Sequence, residues 1–381
     1  MGISMVYIIT LGHKRFDSRI WVKEIASLTA AGIQVRYIVA DGAGNETKSG
    51  VEIRDLGPWF LGGYGILSRI RQGLGLMQRG GFRRGDIVHF HDPIFLPFAF
   101  LLRLRGCRII YDVHEDYPRD VLNFPFPMAL RRIASWLLSF LEWCAGKLFY
   151  AIVTVTPTIV ARFPAAKTVL VRNFPVMEEL QVPDATPYSS RPLNIVYIGF
   201  IARIRGICEM LEAVALVNEH HSIRLTLAGY AEGFSPTTLL QQELASLPGW
   251  KYTDVLGFLD RAAVANVLAN ARIGLVVLHP IKTYPDAYPI KLFEYMSAGI
   301  PVIASDFPLW REIVVGNDCG LCVDPMRPEA IAEAIDFLIT HPEEAQRMGE
   351  NGRLAVEEKY SWAGEEPKLL ALYSRLLEKA A

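Results

Sequence analysis

Residues 286–305 read DAYPIKLFEYMSAGIPVIAS and combine a loop, a helix and a strand. Pro289 suits the first turn of a helix, where its missing N–H has no intrahelical partner to lose, and Gly299 suits the end of that helix. The apolar run PVIAS that follows has the length and composition of a buried strand. The stretch therefore predicts one helix and one strand of an α/β fold.

Strand-like and helix-like segments alternate on both sides of this stretch. Apolar runs of strand length are MVYIITL, QVRYIVA, DIVHFH, CRIIYDV and AIVTVT in the first half, and LNIVYIG, IRLTLAG, YTDVLGF and IGLVVL in the second. Such alternation is typical of a parallel sheet with helices on both faces. Because 381 residues exceed the usual size of one hydrophobic core, the pattern predicts two doubly wound, Rossmann-like domains.

One segment interrupts this rhythm. Residues 173–192 contain four prolines and several polar residues, which is typical of a linker. We expect an N-terminal domain at 1–175, a linker at 176–192, a second domain at 193–362, and a C-terminal helix at 363–381 that can pack back on the N-terminal domain.

The composition excludes several classes of protein. A net charge of −1 gives no reason to expect a nucleic acid partner. Five cysteines, an odd number, and the lack of a visible signal peptide favour a reducing cytoplasm. Cys319 and Cys322 form a CxxC motif without a second Cys or His pair nearby, so we interpret them as core cysteines rather than a metal site.

Side chains of the opening stretch also form a candidate binding site. On the predicted helix, Lys291, Glu294 and Tyr295 share one face, at offsets of three and four residues. The residues that can pack inward are Leu292, Phe293 and Met296. Asp286 lies in the preceding loop, so two carboxylates flank the backbone N–H groups of residues 288–290. Carboxylates accept from hydroxyls, while amides and a lysine face phosphate, which favours a ligand that carries both.

A second candidate site follows the strand LNIVYI. The turn GFIARIRG, residues 199–206, leads into a predicted helix whose N-terminal N–H groups can bind an anion. Arg203 and Arg205 can neutralise a diphosphate there. The alternative is that both arginines are solvated loop charges.

The segment from Asp286 to Glu294 resembles the EX7E region of the family 4 (group 1) retaining glycosyltransferases of the bacterial polysaccharide type, with an aspartate as its first acid. That family has the GT-B architecture, in which two Rossmann-like domains face each other across a cleft. The resemblance implies that Asp286 contacts the donor sugar and that Glu294 holds the ribose of the nucleotide. The backbone contacts to sugar and phosphate fall on Tyr288, Pro289, Ile290 and Lys291.

Two further motifs of the second half occur in the family's order. GFIARIRG resembles the glycine-arginine turn and basic pair that grip the donor diphosphate, with Arg205 in place of the family's lysine. Phe200 stands where the family has an arginine, and Arg203 is the candidate for the missing charge. VLGFLDRAAV resembles the segment whose backbone holds the base. These motifs assign donor binding to Gly199, Arg203, Arg205, Gly257 and Phe258.

The first half carries the resemblance as well. LGHKRFDSRIWVKEIASLTAAG resembles the family's N-terminal loop and first helix, while DIVHFHDP and YDVHEDYP resemble two strand ends that we expect to be adjacent. The resemblance places His114 near the donor sugar; the alternative is a structural hydrogen-bonding histidine. A donor contact falls on Gly12, and acceptor or sugar contacts fall on His13, His91, Asp92, Glu115 and Asp116.

The resemblance implies transfer of a hexose, with retention, from a nucleoside diphosphate sugar to a saccharide acceptor in polysaccharide or glycoconjugate biosynthesis. A UDP-sugar is the preferred donor, bound by the second domain, and the first domain would bind the acceptor. Fixed positive charge can stabilise the departing diphosphate without proton transfer. No DxD motif stands where a metal would bridge the phosphates, so we expect no metal and no other cofactor. The catalytic assignments are His114, Asp286, Arg205 and Lys291.

The acceptor and its location are a separate hypothesis. The segment from Trp59 to Arg84 is rich in arginine and aromatic residues, and a second basic and aromatic region contains Arg131, Arg132, Trp136 and Trp143. Basic amphipathic surfaces bind anionic membranes. This favours a lipid-linked acceptor and peripheral contact of the N-terminal domain with the inner face of the membrane. The alternative is an ordinary helix whose apolar face lies in the core.

Three other functions fit parts of the pattern. A nucleotide-sugar epimerase can share the two-domain fold, and a degenerate homologue would bind the nucleotide sugar and transfer nothing. A dinucleotide-dependent dehydrogenase fits the alternation, but TLGHKRF follows the first strand where GxGxxG is required. Transfer of a sugar is therefore the favoured hypothesis.

Overall fold

The computed structural model describes residues 5–58, 66–123, 126–182, 186–230 and 239–378. They form two compact α/β units, the first made of residues 1–173 with 365–381 and the second of residues 174–364. Each unit has a mainly parallel sheet with helices between its strands. The prediction of two doubly wound domains is thus confirmed.

The first unit contains an eight-stranded sheet in the order β3-β4-β2-β1-β5-β6-β7-β8, parallel except between β3 and β4. Its strands are β1 Val6–Ile9, β2 Val35–Val39, β3 Glu46–Lys48, β4 Val51–Asp55, β5 Ile87–Phe90, β6 Arg108–Val113, β7 Ala151–Thr154 and β8 Thr168–Leu170. The five buried strands predicted from apolar runs are all present. The sequence pattern missed β3, β4 and β8, which lie toward the two edges; β3 is exposed, β8 is half-buried, and β4 buries only Val51 and Ile53.

Six helices connect these strands within the described residues of the unit. They are α1 Ala26–Ala30, which a π-helical turn at Ile20–Ile25 precedes, α2 Ile66–Arg79, α3 Leu96–Leu104, α4 Tyr117–Asp120, α5 Met128–Leu148 and α6 Pro157–Val160. The first helical segment begins beside Asp17, whose carboxylate accepts from the backbone N–H groups of Arg19 and Ile20 at 2.8 and 3.1 Å. Asp17 thereby satisfies N–H groups that a helix start leaves unpaired.

The second unit contains a six-stranded parallel sheet in the order β11-β10-β9-β12-β13-β14. Its strands are β9 Asn194–Ile198, β10 Arg224–Ala228, β11 Thr253–Gly257, β12 Ile273–Val276, β13 Val302–Ser305 and β14 Gly320–Val323. Its helices are α7 Ile207–Val217, α8 Leu239–Ser246, α9 Arg261–Ala269, α10 Ile290–Ser297, α11 Pro308–Val314, α12 Pro328–Thr340, α13 Pro342–Lys359 and the start of α14 Trp362–Glu378. The opening stretch supplies α10 and β13.

The core of the second unit confirms part of the interpretation of α10. Leu292, Phe293 and Met296 are fully buried, as expected. Tyr295 differs from the prediction, because it is also fully buried and its hydroxyl accepts from the backbone N–H of Ile198 in β9 at 2.8 Å. This hydrogen bond and the size of the ring fix Tyr295 beneath the sheet rather than on a binding face.

The segment expected as a linker belongs to the second unit. Within the described part of 176–192, Met177, Leu180 and Tyr188 are buried in the core of that unit. Short helical turns form at Met177–Leu180 and at Tyr188–Ser190, and Pro187 directly precedes the second. At the other end of the chain, the part of α14 from residue 365 belongs to the first unit, where the Tyr373 hydroxyl lies 2.8 Å from His89 Nδ1.

One other sequence prediction concerns the core cysteines. Cys319 is buried, and burial raises the pKa of its thiol to about 12, which favours a neutral core residue.

Another sequence prediction concerns a membrane-facing helix. Helix α5 has 21 residues, but only Glu142, Ala145 and Gly146 are buried. Among the described helices, none is both long enough and apolar enough to cross a membrane.

Candidate functional site

The strand order reverses at the same kind of position in both units. In the second unit β9 lies between β10 and β12, and in the first unit β1 lies between β2 and β5. Loops after such neighbouring strands run in opposite directions and leave a crevice at the carboxyl edge of the sheet. The predicted site residues follow these strands or their neighbours.

Two glycines shape the loop between β9 and α7. Gly199 has a φ of +147°, and a Cβ placed on it would lie 2.6 Å from the Nζ atom of Lys291. Gly206 has a φ of +75° and directly precedes α7, and a Cβ there would overlap the carbonyl oxygen of Val277. The loop therefore needs glycine at both positions to bring α10 and β12 this close to its backbone.

Lys291 and Arg205 form what we call the cation pair. The Lys291 ammonium is buried and lies 3.7 Å from the ring centroid of Tyr197, while the Arg205 guanidinium lies 4.7 Å from the ring centroid of Tyr284. Within the part of the chain that the structure describes, neither forms an ion pair with an acid. Burial, together with the charge of Arg205, holds the pKa of Lys291 well below its usual value. The nearby Glu294 partly offsets the charge of Lys291 but bonds Arg261, so among the described residues neither cation has a carboxylate as a direct ion-pair partner.

Arg203 differs from the prediction. Its guanidinium is exposed and bonds both oxygens of Glu243, with Nε to carboxylate distances of 2.8 and 2.9 Å. An arginine that already has a carboxylate partner contributes less to binding a second anion. Phe200, at the position where the family has arginine, is partly exposed, and its carbonyl accepts from the Tyr197 hydroxyl at 2.7 Å.

Glu294 has a partner that sequence reasoning missed. Its carboxylate is buried and accepts from Arg261 Nη1 at 2.6 Å, and Arg261 also contacts Glu179 at 3.2 Å. The available signal was an arginine directly after the helix-capping Asp260. This contact fixes the direction of the Glu294 carboxylate.

The loop before α10 is held by contacts of its backbone. The carbonyl of Ala287 accepts from Trp310 Nε1 at 2.8 Å, and the ring of Tyr288 stacks on Phe293 at 6.2 Å. Asp286 is exposed and forms no ion pair among the described residues. The Asp286 carboxylate is therefore accessible, and Pro289 directly precedes α10.

The ends of β9, β10 and β11 carry a row of aromatic rings. Phe200 lies 5.6 Å from Tyr230, and Tyr230 lies 6.4 Å from Phe258, measured between ring centroids. Gly257 precedes Phe258 with a φ of +67°, and its carbonyl accepts from the backbone N–H of Gly229 at 2.7 Å. A planar or apolar group can pack on such a row.

In the first unit, the predicted histidines come together. Gly12 and His13 follow β1, His91 follows β5 and His114 follows β6, so three adjacent strands supply them. His91 Nδ1 lies 3.0 Å from His114 Nε2, and the rings of His13 and His114 lie 5.1 Å apart. Burial opposes a proton on His13, but Asp17 and Asp92 outweigh it and raise the pKa of His13.

The acids at these strand ends have different partners. Asp92 is buried and accepts from Thr10 Oγ1 at 2.9 Å and from the Leu11 backbone N–H at 2.6 Å, so it holds the loop after β1. Asp116 pairs with Arg162 at 2.7 Å. Glu115 is exposed. Asp92 and Asp116 thus have structural contacts in addition to their predicted role, whereas Glu115 is accessible.

Below His114 lies a group that sequence reasoning did not single out. We call it the buried charge cluster, and it consists of Arg19, Glu24, His89, His91 and Asp112. Arg19 Nη2 bonds Asp112 Oδ2 at 2.7 Å, and Arg19 Nε lies 2.9 Å from Glu24 Oε1. The signal in the sequence was polar residues at alternate positions of apolar strands, in HFH and DVH.

Comparison with known proteins adds the following findings. A model of the glycosyltransferase family 4 matches residues 20–174, and a model of the glycosyl transferases group 1 matches residues 184–355. Together they cover parts of both units.

Individual relatives are 24–31% identical to this chain. The MMP alpha-(1->4)-mannosyltransferase of Mycolicibacterium hassiacum is 25% identical over 78% of this chain and 73% of its own length. A GDP-mannose-dependent alpha-(1-6)-phosphatidylinositol dimannoside mannosyltransferase of Mycobacterium tuberculosis is 31% identical over 46% of this chain and 42% of its own. With this and several other curated relatives, the match spans less than half of the relative's length.

Solved structures share the fold along nearly the whole chain. Sucrose-phosphate synthase from Thermosynechococcus elongatus superimposes with a TM-score of 0.76 at 19% identity, covering 99% of this chain and 100% of that one. Anabaena Alr3699/HepE, in complex with UDP and glucose, gives 0.75 at 13% identity and covers 98% and 100%. At identities this low, the superpositions show that the chain shares the GT-B fold of these structures and nothing further.

Proposed function

The chain belongs to the group 1 and family 4 glycosyltransferases, and from this premise we propose that it transfers a sugar from a nucleoside diphosphate sugar to a saccharide acceptor with retention at the anomeric carbon. The donor is a UDP-sugar, the acceptor is lipid-linked, and the product enters polysaccharide or glycoconjugate biosynthesis.

The cation pair carries the proposal. Buried Lys291 and half-buried Arg205 rest on aromatic rings and form no ion pair with an acid among the described residues, although burying a cation without an ion-pair partner is costly. A protein that holds such charges side by side gains when an anion binds them. The first turn of α7, with its unpaired N–H groups, lies directly after Arg205 and Gly206. A diphosphate has the charge and size for this arrangement.

The remaining donor contacts are assigned from the family resemblance. Glu294, oriented by Arg261, accepts from ribose hydroxyls. The backbone of Gly257 and Phe258 holds the base, and Gly12 completes the nucleotide contacts. Asp286 and residues 288–290 contact the sugar and phosphate, and His114 contacts the sugar. His13, His91, Asp92, Glu115 and Asp116 serve the sugar or the acceptor.

In this mechanism the bond between the anomeric carbon and the diphosphate oxygen breaks, and a bond from that carbon to an acceptor oxygen forms on the same face. The acceptor's hydroxyl proton passes to the departing diphosphate, so no protein base is required. Arg205 and charged Lys291 stabilise the negative charge that develops on the leaving group. Because these cations neutralise the diphosphate, we expect transfer without a metal ion.

A charge-removal experiment tests the diphosphate site. Arg205→Ala should weaken UDP binding roughly 10–100-fold, the cost of about one charged hydrogen bond. Arg224→Ala is the matched control, because Arg224 is exposed and pairs with Asp254 at the start of β10. Equal UDP affinity of Arg205→Ala and the unmodified protein, measured by titration calorimetry, would overturn the assignment.

The base of the donor is tested by thermal shift. A ligand that binds only the folded state raises the melting temperature, so UDP-, GDP- and ADP-sugars can be ranked at equal concentration. The UDP preference is supported by the Anabaena protein of this fold, whereas the relative from M. tuberculosis is named for GDP-mannose. A larger shift with GDP-mannose would contradict the UDP assignment. Incubation with the donor alone separates transfer from epimerisation, which would change the sugar without an acceptor.

The exposed side of α5 supports the lipid-linked acceptor. Its apolar face, which we call the α5 apolar face, is made of Met128, Leu130, Ile133, Trp136, Leu137, Phe140, Trp143 and Leu148, all exposed. The rings of Trp136, Phe140 and Trp143 stack in sequence at 5.9 and 6.2 Å. An exposed apolar surface with tryptophans and flanking Arg131, Arg132 and Lys147 suits the boundary between anionic head groups and acyl chains. The basic segment predicted at 59–84 falls partly outside the described residues.

Vesicle sedimentation tests this part separately from catalysis. The protein should pellet with phosphatidylglycerol vesicles at low salt, and the double variant Trp136→Ser, Trp143→Ser should remain in the supernatant. Leu104→Ser is the control, because Leu104 is equally apolar and 84% exposed but lies on α3. No pelleting of the unmodified protein would contradict membrane contact at the inner face and leave the proposed transfer reaction unaffected.

A further inference from the structure

His114 lies above the buried charge cluster, and one of its ring nitrogens faces that cluster. His114 Nε2 lies 3.3 Å from Asp112 Oδ1 and 3.0 Å from His91 Nδ1. Both neighbours are fully buried, and Asp112 Oδ1 has no hydrogen-bond partner apart from this contact among the described residues. The state of these two groups decides which nitrogen of His114 carries the proton in the neutral ring.

Asp112 is held as a carboxylate. Burial opposes its ionisation, but Arg19 and the neighbouring histidines outweigh burial and keep the pKa of Asp112 well below its usual value. Arg19 donates to Asp112 Oδ2 at 2.7 Å from Nη2 and at 3.2 Å from Nε. Oδ2 is therefore occupied, and the free Oδ1 with its negative charge faces His114 Nε2. A lone pair on Nε2 would be repelled there, whereas an N–H would be attracted.

His91, the second neighbour of His114 Nε2, can also accept an N–H from that nitrogen. Burial lowers its pKa well below the usual value, so His91 is neutral and has a single N–H. Its Nε2 lies 3.5 Å from Glu24 Oε2 and has no other partner among the described residues. Burial raises the pKa of Glu24 well above its usual value, and when Glu24 Oε2 accepts the His91 Nε2–H, His91 Nδ1 is an acceptor that can receive the N–H of His114. The Asp112 carboxylate thus places the His114 proton on Nε2, and His91 can accept it.

From this geometry we propose that Asp112 and His91 are positioning residues that fix His114 as the Nε2–H tautomer, so that Nδ1 presents a lone pair to a hydroxyl of the donor sugar. The inference rests on the proposed contact of His114 with that sugar. Its consequence is specificity for a hydroxyl donor at this position, because an accepting nitrogen rejects a sugar that has only an acceptor there.

Asp112→Asn tests the assignment because Arg19 determines how the new amide is oriented. The guanidinium requires an acceptor, so the amide oxygen takes the place of Oδ2 and the NH₂ group faces His114 Nε2. This reverses the tautomer and leaves N–H on Nδ1. We expect kcat/KM for the donor sugar to fall roughly 10–100-fold, as for one mismatched hydrogen bond, with UDP affinity within twofold.

Tyr373→Phe is the matched control. It removes a buried hydroxyl that contacts His89 Nδ1 at 2.8 Å on the other side of the cluster, without touching His114. It should leave kcat/KM within about twofold. A comparable loss in both variants would reduce Asp112 to a structural role and overturn the proposal.

A direct spectroscopic readout does not depend on activity. In ¹⁵N-labelled protein, long-range ¹⁵N–¹H correlation spectra distinguish the two neutral tautomers, and His114→Gln identifies the signals of His114. The unmodified protein should show Nε2–H, and Asp112→Asn should show Nδ1–H. Nδ1–H in the unmodified protein, or an unchanged tautomer with unchanged kcat/KM in Asp112→Asn, overturns the proposal.

Failure of the tautomer assignment and failure of the proposed transfer reaction give different results. If Asp112→Asn does not fold, the tautomer of the unmodified protein decides alone. A protein that shows the Nε2–H tautomer but transfers no sugar would contradict the proposed function and leave the positioning of His114 intact.

Discussion

Each unit buries charged groups near the carboxyl edge of its own sheet, but it treats them in opposite ways. In the first unit, Arg19 contacts both Asp112 and Glu24; its charge compensates the Asp112 carboxylate, while burial raises the pKa of Glu24 well above its usual value. In the second unit, Lys291 and Arg205 rest on the rings of Tyr197 and Tyr284. A compensated buried charge becomes costly when its partner is removed, whereas a buried cation without an ion-pair partner is a cost that an anionic ligand can remove.

The largest expected effect tests the compensated side. Arg19→Met leaves the buried Asp112 carboxylate without its cation, and breaking a buried ion pair in this way costs about 3–5 kcal/mol. We expect the free energy of unfolding to fall by that amount in urea denaturation followed by tryptophan fluorescence. A loss below about 1 kcal/mol would show that the buried charge cluster contributes little to the fold.

The second prediction tests the cation pair of the second unit. Here removal of a buried charge should not lower the stability of the protein. Lys291→Met removes a buried ammonium whose ionisation burial disfavours, so the melting temperature should stay equal or rise. UDP affinity should fall roughly 10–100-fold, because one charged contact is lost. Titration calorimetry measures the UDP affinity and thermal melting measures the melting temperature, both on one preparation. A destabilised variant with normal UDP affinity would remove the distinction between the two units.

Features that depend on neighbouring residues could be predicted from the sequence, whereas contacts between distant charges could not. The strands made of apolar runs, α10 and the N-terminus of α7 were predicted, because they depend on local periodicity, glycine and proline. The choice between Arg203 and Arg205 was not, because it depends on Glu243, which lies 40 positions from Arg203. Arg19 and Asp112 are 93 positions apart, so no local pattern joins them. Long-range charge pairing is a property of the folded chain, and an isolated motif shows only which charges are available.

A smaller effect concerns pH. The pKa of Lys291 is depressed in the free protein, so part of the population is uncharged at alkaline pH, and a bound diphosphate restores the ammonium. Binding therefore takes up a proton, and UDP affinity should fall as pH rises above the pKa of Lys291 in the free protein. Measurements above about pH 7.5 avoid titration of the phosphate itself.

The control for this pH effect is Lys291→Met, which should remove the proton uptake. For the unfolding equilibrium the sign is reversed. The unfolded chain binds the Lys291 proton more readily, so this residue's contribution to stability rises with pH up to about pH 10.4, the value for an unperturbed lysine. Identical pH profiles of UDP binding in both proteins would contradict the linkage.

The smallest effect is expected at Arg203. Its guanidinium is exposed and already bonded to Glu243, so Arg203→Ala should change UDP affinity less than twofold. Titration beside Arg205→Ala compares two arginines that lie two positions apart in the same turn. A loss at Arg203 as large as the loss at Arg205 would mean that the ligand displaces Glu243.

Gly199 and Lys291 constrain each other's evolution. A methyl group at position 199 would come within 2.6 Å of the lysine nitrogen, and the φ of +147° already disfavours any side chain there. Replacement of the glycine would thus push the ammonium off the Tyr197 ring, so each position sets which substitutions are tolerated at the other. We expect strong epistasis, with a side chain at position 199 tolerated only in a background that carries a shorter residue at position 291.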